Sequence, residues 1–182
     1  TLHESDVPPM TRFLVDQYGD SDEASTGHRI MFFDIEVEVT EGFPDVQKAQ
    51  NPITSIALYD STTEKYYTYC FDPQKRIKNY SKDDEIVEFY ETEYEMLNKF
   101  FQKYLEIRPT IISGWNSEFF DIPYLYNRAV RVLGPEVANL LSPISQVIYS
   151  EYKKKHTIAG VSSLDYLQLY RQFTFTQQSS YR

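Results

Sequence analysis

Two acidic residues, Asp34 and Glu36, stand inside the apolar stretch RIMFFDIEVE, residues 29–38. In an extended strand alternate side chains share a face, so Asp34 and Glu36 point one way while Phe33, Ile35 and Val37 point the other. One face of such a strand is a core face and the other presents two carboxylates side by side. Like charges that close repel, so the pair is costly unless a cation lies between them or water reaches them. An exposed edge strand with two solvated acids would satisfy the same pattern. A third carboxylate, Asp121, lies in GWNSEFFDIPYLYNR, residues 114–128, with Asn116 ahead of it on the same connection. Ends of strands in open α/β sheets are where such folds build their sites, although a carboxylate at a helix start also serves as an ordinary cap. Hard oxygen donors of this kind suit magnesium or manganese. His3, His28 and His156 are scattered and Cys70 is the single cysteine, so no zinc-type cluster is offered.

The elements that must hold these residues can be read from periodicity. Residues 29–39 form a first strand, ITSIALYD (53–60) a second, and KYYTYCF (65–71) pairs back on it after the turn STTE, giving three adjacent antiparallel strands. The segment DPQKRIKNYSKDDE (72–85) reads as a charged loop. In ETEYEMLNKFFQKYLEIR (91–108) the apolar positions Met96, Leu97, Phe100, Phe101, Tyr104 and Leu105 recur at helical spacing, Thr92 is a cap, and Pro109 closes the helix. TIISGWN supplies a short strand ending at Gly114, and the order strand, helix, strand places it in the same sheet, parallel to the first. DIPYLYNRAVRVLG has Pro123 in the first turn of a helix and Gly134 at its far end. ISQVIYSEYKKKHTIAG reads as a hairpin with a lysine-rich tip, and SSLDYLQLYRQF as a further short helix. Residues 1–27, with Pro8, Pro9, Gly19, Gly27 and the acidic run GDSDE, read as an arm or linker, and the domain proper runs from 28 to 182.

Composition narrows the function. A chain of 182 residues is long enough for one domain with a sizeable core. The balance of 27 acidic against 18 basic residues, net charge -9, counts against a module that grips a nucleic-acid backbone by bulk charge. It leaves nucleic acid open as a substrate, because a site that holds divalent cations needs excess carboxylate. No apolar run of membrane-spanning length and no signal-peptide pattern is present, and the start TLHESDVPPM lacks an initiator Met and reads as a cut end. The 16 Tyr and 12 Phe are mostly core and half-buried strand residues, although aromatic faces can also stack on unpaired bases.

The order D-x-E on a first strand, then N-x-x-x-F-D after a helix and a strand, resembles the first two motifs of the DEDD superfamily of 3'-5' exonucleases. The words MFFDIEV, IISGWNSEFFDIPYLYNR, LSPISQVIYSEYKKKHTIAGVSSLDYLQLY and FTFTQQSSY narrow the resemblance to the proofreading exonuclease domain of family B DNA polymerases of T-even-like bacteriophages, from about residue 8 onward. The resemblance implies an α/β, ribonuclease H-like mixed sheet flanked by helices with a β-hairpin insertion. It implies that Asp34, Glu36 and Asp121 hold two Mg2+ or Mn2+ ions that activate a water and stabilise the leaving 3' oxygen. Asn116 and Phe120 would position the terminal nucleotides, and the hairpin around Lys153, Lys154 and Lys155 would separate strands as the primer end moves between sites. It further implies a DNA substrate with a single-stranded 3' primer end, the rest of a polymerase chain and a sliding clamp as partners, no membrane, and the cytoplasm of an infected bacterium as location. The family's fourth carboxylate, in a Y-x-x-x-D motif, has no match: Tyr166 is followed by Tyr170 at that spacing and Asp165 lies too early. The chain is therefore expected to stop short of that motif and to trim DNA weakly or not at all by itself. Two other readings stay open, a free-standing exonuclease acting on RNA or single-stranded DNA, and a non-catalytic DNA-contacting module.

Overall fold

The computed structural model describes residues 6–40 and 42–174. The first element is a helix, α1 (Pro9–Tyr18), inside the segment read as an arm, and none of its side chains is buried. Next come β1 (Ile30–Val37), β2 (Ile53–Asp60), β3 (Lys65–Phe71), β4 (Tyr80–Lys82) and β5 (Glu85–Tyr90). They are followed by helix α2 (Glu93–Ile107), strand β6 (Ile111–Gly114), helix α3 (Asp121–Val132) and the short helix α4 (Pro135–Ala138). The hairpin strands β7 (Val147–Ser150) and β8 (Lys155–Ile158), strand β9 (Ser162–Asp165) and helix α5 (Tyr166–Phe173) complete the described fold.

Among the described residues, seven strands form one mixed sheet in the order β4-β5-β3-β2-β1-β6-β9, and β7 and β8 form a separate two-stranded sheet. β1 runs antiparallel to β2, β2 antiparallel to β3, and β6 parallel to β1, as the sequence predicted. This mixed sheet with flanking helices and a separate hairpin is the ribonuclease H-like arrangement. Alternation decides the faces: Met31, Phe33 and Ile35 are buried, whereas Phe32, Asp34 and Glu36 are exposed. Against the buried face α2 lays Met96, Leu97, Phe100, Phe101 and Tyr104, all buried in one core with Ile56, Leu58 and Tyr69. Each such side chain contributes roughly 1.5–3 kcal/mol on burial. The predicted cap is present: the Thr92 hydroxyl accepts the Glu95 N–H at 3.2 Å and donates to the Glu95 carboxylate at 2.9 Å. Arg108, at a φ of 47°, ends the helix in the left-handed region just before Pro109.

The fold departs from the sequence expectation at two places. The stretch read as a charged loop contains β4 and the first residue of β5, a strand that lies parallel to β3 and adds two strands to that edge of the sheet. Its polar residues carry no hydrophobic alternation because β4 is exposed along its whole length, so pairing alone makes it a strand. The stretch SSLDYLQLYRQF is not one helix, since Ser162–Asp165 pair with β6 as β9 and only then does α5 begin. The partner strand lies some fifty residues back in the chain, and local propensity carries no trace of it.

Candidate active site

β1 carries Asp34 and Glu36 on the exposed face of the sheet, on either side of buried Ile35. β6 pairs with β1 only from Ile30 to Phe32 and ends at Gly114, so the ladder on that side stops short of Ile35. The Ile35 N–H is taken instead by the Asp121 carboxylate, whose Oδ1 accepts it at 3.1 Å. Asp121 is the first residue of α3 and is only 2 % exposed. The third carboxylate thus sits against the backbone of the residue between the first two.

The electrostatics of this arrangement are unusual for a structural carboxylate. Burial pushes the Asp121 carboxyl up from the ordinary 3.8 to about 7, and the charges of Asp34 and Asp165 push in the same direction, while the Ile35 N–H opposes them. Partial burial also raises Asp34. The charges acting to raise Asp121 are therefore both negative, and an added cation is what would relieve it. Among the described residues, no group of three His, Cys, Asp or Glu side chains is drawn together closely enough to hold a metal ion. The donor chemistry nevertheless fits one, because all three groups offer hard oxygens and Asp34 and Glu36 are exposed.

The connection from β6 to α3 is built for close approach. A Cβ on Gly114 would lie 2.6 Å from the Phe33 carbonyl oxygen and 2.9 Å from the Ser117 Cβ. Gly114→Ala should therefore push the end of β6 away from β1, at a cost of about 1–3 kcal/mol for overpacking. Urea unfolding of the variant checks this, and an unchanged midpoint would show that the strand end yields freely. Asn116 adopts a φ of 61°, and its carbonyl accepts the N–H groups of Phe119 and Phe120 at 3.2 and 3.1 Å. That tight turn places the half-buried Phe120 ring 5.2 Å from Phe43 and 5.7 Å from Tyr124. Phe43, Phe120, Ile35, Val39 and Glu36 line a recess of about 390 Å3 beside the carboxylates. A second groove of about 240 Å3 runs over the exposed sheet face past Asp34, Phe32, Tyr59 and Tyr66.

The hairpin forms as predicted, but its three lysines part company. Lys153 and Lys154 are exposed at the tip, where Lys154 pairs with Glu151 at 3.0 Å. Lys155, at the start of β8, reaches the Glu118 carboxylate at 2.8 Å and so ties the hairpin base to the turn before α3. Two residues of this neighbourhood had no role in the sequence reading. Phe43 is an aromatic in a loop between Gly42 and Pro44, with no pattern to mark it. Asp165 was set aside as lying too early, yet it is 3 % exposed and its position before a helix was a legible cap signal.

Comparison with known proteins agrees with this geometry. Residues 17–182 match the family model described as DNA polymerase family B, exonuclease domain. The chain is 33% identical over 180 residues to the DNA-directed DNA polymerase of Escherichia phage RB69, covering 84% of this chain and 20% of that protein. It is likewise 33% identical over 174 residues to the DNA-directed DNA polymerase of Enterobacteria phage T4, covering 80% of this chain and 19% of that protein. Over 131 residues it is 39% identical to DNA polymerase 1 of Saccharolobus solfataricus, covering 72% of this chain and 13% of that protein. The chain spans about a fifth of the length of the phage polymerases it matches. Carboxylate placement, sheet order and these similarities lead to one conclusion: the chain belongs to the exonuclease domain family of family B DNA polymerases.

Proposed function

We propose that the chain is the proofreading 3'-5' exonuclease part of a replicative DNA polymerase, hydrolysing the 3'-terminal phosphodiester of a single-stranded primer end. The observation that carries this reading is Asp121, buried with only negative charges raising it and seated on the Ile35 N–H between Asp34 and Glu36. Those three residues would hold Mg2+ or Mn2+. When bound, such ions supply an acidified water and charge relief at the leaving 3' oxygen. The rest of the work falls to the chain. Ile35 orients the Asp121 carboxylate through its N–H, and Asn116 sets the turn that brings Phe120 to the recess. The faces of Phe43 and Phe120 offer a stacking platform for a terminal base, a contact that tolerates any base. Selectivity for errors follows from fraying, because a mispaired end unstacks more easily and reaches the site more often.

The hairpin tip, where Lys153 and Tyr152 are exposed, would meet the duplex where its strands part. The phage relatives, polymerases of which this chain spans about a fifth, support a longer polymerase chain around this part, and we further propose a sliding clamp as partner and the cytoplasm of an infected bacterium as location. The test is removal of the terminal nucleotide from a 3'-labelled oligonucleotide by the whole polymerase chain, with Mg2+ or Mn2+ and then with chelator. Metal-dependent release of mononucleotides, faster from a mispaired than from a paired end, is the expected result. Release that persists in chelator, or that starts from the 5' end, would overturn the reading.

A further inference from the structure

We propose that Asp165 is a positioning residue of this site: its buried carboxylate holds the turn that carries Asn116 and Phe120 and delivers Asp121 to the edge of β1. The proposal rests on the functional reading above and extends it to a residue outside the two acidic motifs. Asp165 is the last residue of β9 and lies across the parallel ladder from Gly114, where the turn departs. Its Oδ1 accepts the N–H of Asn116 at 3.0 Å and of Leu167 at 2.9 Å, and its Oδ2 accepts the N–H of Glu118 at 3.1 Å. The Leu167 bond alone would make it an ordinary cap of α5.

The other two bonds have no part in that cap. They cross 49 and 47 residues of sequence to reach amides in a turn that belongs to no strand or helix. Those amides need a partner, because an unpaired buried N–H is costly and Phe120 gives α3 no side-chain cap. A carboxylate that accepts three main-chain N–H groups makes strong, charge-assisted bonds in a fixed geometry. Asn116 adopts the left-handed region, which asparagine tolerates better than other non-glycine residues, so the turn is tight without needing glycine there. The turn is gripped a second time through Glu118, whose side chain pairs with Lys155. Asp121 follows this turn directly, so slack in the turn becomes displacement of a reacting group, and about 1 Å of misplacement can cost on the order of a hundredfold in rate.

Two variants separate positioning from capping. Asp165→Ser keeps a good cap for α5 but is too short to reach the turn. Asp165→Asn keeps the size and the cap and presents an NH2 group to one of the turn's donors. Hydrogen exchange of the Asn116 and Glu118 amides in the Ser variant, and of the Glu118 amide in the Asn variant, should quicken by at least about tenfold relative to amides of the β1–β2 ladder, which should hold. In the whole polymerase chain kcat for 3' trimming should fall by about thirtyfold to a hundredfold, with KM for the oligonucleotide moving less than about twofold. Unchanged exchange at Asn116 and Glu118 in the Ser variant would overturn the proposal, leaving Asp165 a cap only. Faster exchange with kcat within about twofold of the parent would overturn it too, since the turn's order would then not matter to the site. Were the parent itself inactive in trimming, the functional reading would fall, while the exchange measurement would still decide whether Asp165 holds the turn.

Discussion

Replacing Asp121 by asparagine should silence 3'-end trimming and, near and above neutral pH, make the fold more stable. Both effects come from one feature, a carboxylate buried beside negative charge whose pKa is pushed from 3.8 to about 7. Between those values the folded chain keeps a proton that the unfolded chain gives up, so stability falls as pH rises through that window. Above about pH 7 the whole penalty is present. Asparagine has no charge to bury and can still accept the Ile35 N–H through its own Oδ1. The gain should be on the order of 1–4 kcal/mol above pH 7, since each pKa unit is worth about 1.4 kcal/mol, and should shrink as pH falls toward 4. Thermal unfolding of parent and variant from pH 4 to 8.5 measures it. Adding Mn2+ should narrow the gap by stabilising only the parent, because a ligand that binds the native state raises its stability by mass action. Trimming by the whole polymerase chain should drop at least about a hundredfold. A variant that is less stable than the parent at pH 8, or that still trims briskly, would show that Asp121 is a structural acid.

The second large effect is expected at Arg128, on the same helix as Asp121 but two turns further along. Its Nε and Nη2 donate to both oxygens of Glu93 at 2.9 and 2.6 Å, and its Nη1 donates to the carbonyls of Ala49 and Gln50 at 3.1 and 2.6 Å. Glu93 also accepts the N–H of Ile53 at 2.8 Å. One ion pair thus joins α3, the first turn of α2 and the connection into β2. Glu93 is 8 % exposed, so truncating the arginine strands a buried charge and removes the partner of the Ala49 carbonyl. Arg128→Ala should cost about 3–5 kcal/mol, the range found when one partner of a buried pair is removed. A double Glu93→Met, Arg128→Met variant should lose less than the single one, because no charge is left buried. Arg128→Lys should recover only part, since an ammonium cannot make the bidentate fork. Chemical denaturation of the three variants decides it. A loss below about 1 kcal/mol in Arg128→Ala would mean that water replaces the guanidinium at little cost.

Local pattern was enough for most of what positions the site. Period-two alternation in β1 placed Asp34 and Glu36 together on the exposed face and Ile35 in the core. The spacing of Met96, Phe100 and Tyr104 marked the buried face of α2, and Thr92 marked its start. These features depend on neighbours within a few residues, and the sequence by itself determined them. The strand that ends at Gly114 and the helix that begins near Pro123 were legible for the same reason.

Only the tertiary structure decided what depends on groups far apart in the chain. β4 and β9 are strands because a partner's backbone is there to pair with, and their own residues do not announce it. Phe43 becomes a wall of the recess only when Phe120 arrives beside it from 77 positions away, the difference of the two residue numbers. Lys155 was read with Lys153 and Lys154 as part of a DNA-contacting hairpin, and its pairing with Glu118, 37 positions away, is set by the fold alone. Asp121 was read as a candidate from its motif, but its raised pKa comes from its burial at the start of α3 and from the nearness of Asp34 and Asp165. Desolvation and through-space charge act over distances that the linear order of residues does not encode, which is why the identity of the acids was visible in the sequence and their electrostatic state was not.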